Sequence, residues 1–387
     1  MKFSTCFYTI FILSSFNLYL QAAPAPRPTD TKFYTELTYE TVNGKMFIYG
    51  ELGGKKRKFL FDTGAPSQIS KELFNELKTP ITSKAAIGDA YRNRDSVIIT
   101  TLPEIRLNNI PFNQVQALVM YPDFYKCWNI DGVIGSNLLK GTLLQINSDK
   151  HLLIFTNDES KLSLIKDHGI AMAVKGMQLD PELSIYVGKK VSAKFHFDTG
   201  DSDFINMTED YMRQLSKYKV FEIISTGYGS NGIGVFGKQQ QDTMYRLKIA
   251  SVKIAGAEFK NVIVETNKSG IPRIGSKILD YGIVTLDYIH NKFYFDAKTP
   301  VTNLEEKRWP VSPFIKENQW IVFSKWQEAG NDINVGDQIL TIDDMPLPPA
   351  NLCDRLNGKP LLDGRDKAVL KVKNAQGNIQ TVEITKK

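Results

Sequence analysis

The 387-residue chain is poor in the groups from which metal and redox centres are built. Its four histidines, His151, His168, His196 and His290, are scattered, and neither Cys-x-x-Cys nor His-Glu-x-x-His occurs. A zinc enzyme is therefore disfavoured, and no metal or other cofactor is called for. Of three cysteines, Cys6 lies in the N-terminal apolar stretch, which leaves Cys127 and Cys353 far apart in separate parts of the chain. That is too few for a disulfide framework, and two free thiols is the simpler expectation. Lys and Arg total 48 against 42 Asp and Glu, but the net +6 is spread without a long basic block, which argues against nucleic acid or a membrane surface as partner. Long apolar runs are also missing. The longest, residues 6–20, follows Lys2 and ends at Gln21-Ala22-Ala23-Pro24, whose small residues suit signal peptidase. Residues 1–23 are expected to be a cleaved secretory signal, making the mature chain secreted or periplasmic with no stable membrane span. The alternative, an anchoring helix, would want about 20 apolar residues.

What the chain does have is one phrase said twice: Phe61-Asp62-Thr63-Gly64-Ala65 and Phe197-Asp198-Thr199-Gly200-Asp201. Each copy follows a short apolar run, Lys58-Phe59-Leu60-Phe61 and Lys194-Phe195-His196-Phe197, which reads as a strand ending in a turn that glycine permits. Asp-Thr-Gly arises by chance in about one chain of this length in twelve, so a single copy says little. The surroundings repeat as well. Ile69 and Ile205 lie at the same distance after the two aspartates, and capped short helices open at Ser70 and at Thr208-Glu209-Asp210. Ile105 precedes Phe112 as Val252 precedes Phe259. Val133-Ile134-Gly135-Ser136-Asn137-Leu138-Leu139 is answered by Arg273-Ile274-Gly275-Ser276-Lys277-Ile278-Leu279, 73 residues after Asp62 at Gly135 and 77 after Asp198 at Gly275. Four landmarks in register make an internal duplication.

Between the landmarks, Asn43-Gly44 predicts a hairpin, and strands are expected over residues 96–101, 105–112 and 115–120. Residues 226–232, Thr-Gly-Tyr-Gly-Ser-Asn-Gly, match G-x-G-x-x-G, but no helix-like segment follows to cradle a pyrophosphate. A mobile hairpin bending over a cleft is the expectation there. From Arg308 the composition shifts to a third unit with strands predicted at 319–324, 338–342, 368–373 and 379–385.

Two carboxylates on rigid strand ends of similar halves can meet across a cleft. Side by side they cannot both ionise cheaply, so the pair would hold one proton. One member could then take a proton from water while the other donates to a carbonyl oxygen, which is general acid–base hydrolysis of a peptide bond. In these motifs the chain resembles the retropepsin-like aspartic peptidases, with both halves fused as in pepsin-type enzymes, over roughly residues 32–299. The resemblance implies a mainly β fold: two acid-protease β-barrel lobes, residues 24–158 and 159–300, plus a small α+β unit at 308–387. It further implies Asp62 and Asp198 as the catalytic dyad. Thr63 and Thr199 would make hydrogen bonds between the lobes beneath it, supported by Gly64 and Gly200. Flap hairpins near residues 87–94 and 226–237 would put Tyr91, Tyr228 and Phe236 against a polypeptide substrate. The last unit, through Val335-Gly336-Asp337-Gln338-Ile339-Leu340, resembles a PDZ domain, implying a peptide ligand added to its sheet edge.

The second copy departs from the family pattern in having Asp201 where the first has Ala65, so Asp201 is a candidate modulator of the pair's ionisation. His196, two residues before Asp198 on the same strand face, reads as a partly exposed strand histidine. Asp201 also leaves room for a second reading, a catalytically inactive peptide-binding or envelope scaffold that keeps the fold. A third arrangement would pair two chains through one lobe each.

Overall fold

The computed structural model describes residues 31–89, 93–230, 233–234, 237–238, 240–268 and 270–387. Two hairpins of nearly continuous apolar sequence form its centre: Leu143–Asn147 with Leu152–Thr156, and Gly282–Asp287 with Lys292–Ala297. Strands this apolar need cover on both faces. Leu144, Ile146, Leu153, Phe155, Val284, Leu286, Phe293 and Phe295 are fully buried. The hairpins join through Leu143–Asn147 and Gly282–Asp287. Tyr34–Thr38 and Ile170–Lys175 add at the outer edges, giving an antiparallel six-stranded sheet to which each half of the chain contributes three strands.

Each half then builds the same arrangement on that sheet. In the first, Lys55–Asp62 pairs antiparallel with Lys45–Leu52 and parallel with Gly132–Gly135, which pairs with Gln68–Ile69. In the second, Val191–Asp198 stands between Asp180–Val187 and Arg273–Gly275, which pairs with Ile205–Thr208. A short helix follows each, Lys71–Leu77 capped by the Ser70 hydroxyl and Glu209–Ser216 capped by that of Thr208. Apolar packing runs unbroken through both halves, from Phe33 to Phe295. The fold is mainly β, and among the described residues no helix is long and apolar enough to cross a membrane.

The C-terminal residues form a second core between Val311 and Ile384. Its strands are Val311–Lys316, Gln319–Trp326, Gln338–Ile342, the short Met345–Pro346, Lys367–Lys373 and Ile379–Thr385, with one six-residue helix, Leu352–Asn357. This unit grips both halves. Against the second, Gly227, Tyr228 and Gly229 pair antiparallel with Trp326, Lys325 and Ser324. Trp326 is buried under the Arg246 guanidinium, 4.2 Å from its ring centre, and Arg246 in turn donates to Glu265 (2.8 Å) and to the Trp309 carbonyl (3.1 Å). The hairpin expected to be mobile is therefore anchored in the part the structure describes. Gly227 serves close packing, since a Cβ there would lie 2.7 Å from the Trp326 ring.

Against the first half, Cys127 and Cys353 form a disulfide with their Cα atoms 4.6 Å apart. This corrects the expectation of two free thiols. The cysteines do sit in separate units, but the C-terminal unit folds back so that its helix lies on the Asp123–Trp128 turn. Asn357 Nδ2 donates to the Cys127 carbonyl (2.8 Å), and Asn43 Nδ2 donates to the carbonyls of Leu356 (2.7 Å) and Gly358 (2.9 Å).

Candidate active site

Both Asp-Thr-Gly turns lie where the two halves meet. Pairing with Gly132–Gly135 on one side and Arg273–Gly275 on the other carries each central strand right up to its aspartate, with Gly135 opposite Asp62 and Gly275 opposite Asp198. Below the carboxyls the buried threonines lock the turns reciprocally. The Thr63 amide donates to Thr199 Oγ1 and the Thr199 amide to Thr63 Oγ1, both at 3.0 Å. Each hydroxyl then donates across the junction, Thr63 to the Phe197 carbonyl (3.0 Å) and Thr199 to that of Phe61 (3.1 Å). A threonine suits this place because its hydroxyl both accepts and donates.

The glycines explain how closely the carboxyls approach. Each Gly amide donates to the carboxyl of its own turn, Gly64 to Asp62 (2.9 Å) and Gly200 to Asp198 (2.8 Å). Each glycine also packs against the opposite carboxyl. A Cβ on Gly64 would come within 2.3 Å of Asp198 Cγ, and one on Gly200 within 2.4 Å of Asp62 Oδ2. Any side chain at either position would push the pair apart. Asp62 and Asp198 share a hydrogen bond, and burial together with the Asp198 charge holds the Asp62 carboxyl well above the usual carboxylate range, against Lys45 and the Gly64 amide. The Lys45 ammonium reaches across from the first half to donate to the Gly200 carbonyl, and Ser276 Oγ donates to the carbonyl of Gly44 (2.9 Å).

An apolar wall flanks the carboxyl pair on the first half. Phe47, Leu60, Tyr125, Trp128, Ile130 and Val133 pack together, and Leu356 of the C-terminal helix packs against them. Tyr125 is pushed far up by burial, with the Asp62 charge adding to it.

The remaining predicted site residues fall in different places. Asp201 turns into its own loop, where its carboxylate accepts from the Asp203 amide (3.0 Å) and from Asn206 Nδ2 (2.6 Å). Tyr228 stands exposed on the Phe221–Gly229 strand beside the C-terminal unit. Tyr91 and Phe236 lie outside the described residues. His196 is mostly buried; its Nδ1 pairs with Asp180, and its Nε2 lies 3.7 Å from Glu182.

Two cations beside the pair were not anticipated from the sequence: Lys45, and Arg273, whose Nε lies 3.0 Å from Asp198 Oδ2. For Arg273 a signal existed. It occupies the place in the second half that Val133 holds in the first, an apolar-to-cation exchange inside an otherwise matched landmark.

Residues 48–138, which include the first Asp-Thr-Gly and Ile134-Gly135, match a family model described as aspartyl protease. Among solved structures the chain is similar to the crystal structure of a retropepsin-like aspartic protease from Rickettsia conorii. The identity is 24%, the match covers 33% of this chain and 95% of that one, and the TM-score is 0.24. No curated protein matches the chain.

Proposed function

We propose that the protein is an aspartic endopeptidase that cleaves polypeptide with a water molecule activated between Asp62 and Asp198. The observation that carries this reading is the reciprocal packing of Gly64 on Asp198 and Gly200 on Asp62, which brings two carboxyls into hydrogen-bond contact at the junction of the halves. Such contact serves a shared proton and little else, because two bare carboxylates held together would repel. In the reaction one carboxylate takes a proton from the water as its oxygen attacks the scissile carbonyl, and the other carboxyl donates its proton to the carbonyl oxygen. Breakdown of the tetrahedral diol returns a proton to the leaving amine. Thr63 and Thr199 support the pair, and the hairpin Ile81–Gly88 with Arg94–Thr101 is the candidate flap of the first lobe.

The C-terminal unit is read as PDZ-like, with a peptide or partner protein as its ligand. Since Ser324–Trp326 already carries Gly227–Gly229 as a neighbouring strand, a further peptide would have to use another edge. The Cys127–Cys353 bridge supports a secreted or periplasmic location, because disulfides persist in oxidising compartments.

The purified chain should cleave a reduced, unfolded polypeptide, and a statine-type inhibitor, whose hydroxyl imitates the diol oxygen, should block it. Peptide affinity without turnover between about pH 3 and 8 would replace this reading with the inactive-scaffold one.

A further inference from the structure

The two halves match in backbone but not in what they place beneath the aspartates. One tier below Asp62, three side chains lie side by side across adjacent strands: Phe47, Leu60 and Val133. In the second half the same register holds Glu182, His196 and Arg273. An apolar triplet thus faces a fully ionisable one. Within the second triplet His196 pairs with Asp180 and approaches Glu182, while Glu182 binds Lys175 (3.1 Å) and Lys194 (2.8 Å). Arg273 reaches upward to Asp198, and both partners are about seven-eighths buried, at 13% and 12% side-chain exposure.

Resting on the endopeptidase reading above, we infer that Arg273 is a positioning residue that keeps Asp198 as the charged member of the pair and leaves the shared proton on Asp62. Asp198 is then the group that takes the proton from water, and Asp62 the group that donates to the scissile carbonyl. Lys45, from the Lys45–Leu52 strand, donates to the Gly200 carbonyl, and its charge favours ionised Asp62 but is outweighed there by burial and the Asp198 charge. His196, one tier down on the Asp198 strand, is engaged by Asp180 from the neighbouring strand. Asp201 is bound within its own turn. On the first half the wall beneath Asp62 is apolar apart from Tyr125, and the cation beside it, Lys58, lies 4.9 Å over the Phe47 ring and pairs with Glu40 (2.9 Å) in place of Asp62. The raised Asp62 carboxyl agrees with this distribution. A guanidinium at this distance favours the ionised forms of the pair as a whole, so the first proton leaves at lower pH than from a pair with an apolar residue in its place.

The test compares wild type with Arg273→Gln and Arg273→Lys, each first shown to be folded by its thermal transition. In Arg273→Gln both limbs of the kcat/KM against pH profile should move toward alkaline pH by about 1–3 units, and Arg273→Lys should restore most of the shift. An unmoved or acid-shifted profile in folded Arg273→Gln overturns the inference. A second readout needs no turnover: 13C spectra of carboxyl-labelled Asp, with Asp62 and Asp198 assigned through their Asn variants. At mildly acid pH Asp198 should give the ionised shift and Asp62 the protonated one, and in Arg273→Gln the two should converge. The opposite distribution in wild type overturns the inference. A protein that shows the expected carboxyl shifts yet cleaves nothing disproves the endopeptidase reading while leaving the proton assignment standing.

Discussion

Replacing either paired carboxyl by its amide, Asp62→Asn or Asp198→Asn, should lower kcat/KM on an unfolded polypeptide by about 10²–10⁴-fold, the range that a positioned acid or base contributes. The two losses should look alike in activity and different in stability, which separates chemistry from damage. Asn at 62 can still accept from the Gly64 amide and donate to Asp198, so it keeps the local hydrogen bonds. It also removes an ionisation that the fold opposes. Because the Asp62 carboxyl lies above its ordinary range when folded, the native state binds more protons than the unfolded chain between the ordinary and the raised value, and stability falls as pH rises through that window. Asp62→Asn has no such fall and should melt above wild type at alkaline pH. Asp198→Asn leaves the Arg273 guanidinium without its carboxylate in a mostly buried site and should cost up to about 3 kcal/mol. Thermal melts of both variants at pH 5 and pH 8, alongside the peptidase assay, check the pattern. Undiminished cleavage by either variant would remove that carboxyl from the mechanism.

The features that place the pair were legible because they are local. A strand that ends in Asp-Thr-Gly, a cap at Ser70 or Thr208, and an Asn43-Gly44 turn with both residues at positive φ each follow from a few neighbouring residues. The duplication added what no single segment contains, namely that Asp62 and Asp198 are equivalent. The matched segments already set His196 against Leu60 and Arg273 against Val133, but that these positions lie side by side with Glu182, where the first half has Phe47, follows only from strand register. Within residues 226–232, Gly227 and Gly229 serve something other than mobility. Glycine frees a loop, but it also admits a backbone too close for a side chain, and Gly229, where a Cβ would lie 2.5 Å from the Phe323 carbonyl, is of the second kind. The cysteine pair was out of reach altogether, because a separation of 226 residues in sequence carries no information on distance once a later unit folds back over an earlier one.

That bridge leads to the second large effect. With the cysteines 226 apart, the loss of denatured-state freedom on closing the loop stabilises the native chain by about 5 kcal/mol in the chain-entropy account. The double variant Cys127→Ser, Cys353→Ser should therefore melt lower by on the order of 10 °C. Without the bridge, the Leu352–Asn357 helix is held to the first half by the Asn43 and Asn357 hydrogen bonds, worth about 1 kcal/mol each, and by Leu356 on the apolar wall. The strand pairing of Gly227–Gly229 with Ser324–Trp326 and the Arg246–Trp326 stack lie on the other half and are untouched. Loss should thus begin at one end, with the helix lifting from the wall while the C-terminal unit stays attached to the second half. Limited proteolysis should cut near residues 351–358 in the serine variant, and in wild type only after reduction. Equal melting temperatures and equal resistance to proteolysis would mean that the noncovalent contacts alone hold the helix. Because Leu356 packs against the apolar cluster of Phe47, Leu60, Tyr125, Trp128, Ile130 and Val133, its release would uncover part of that wall to solvent.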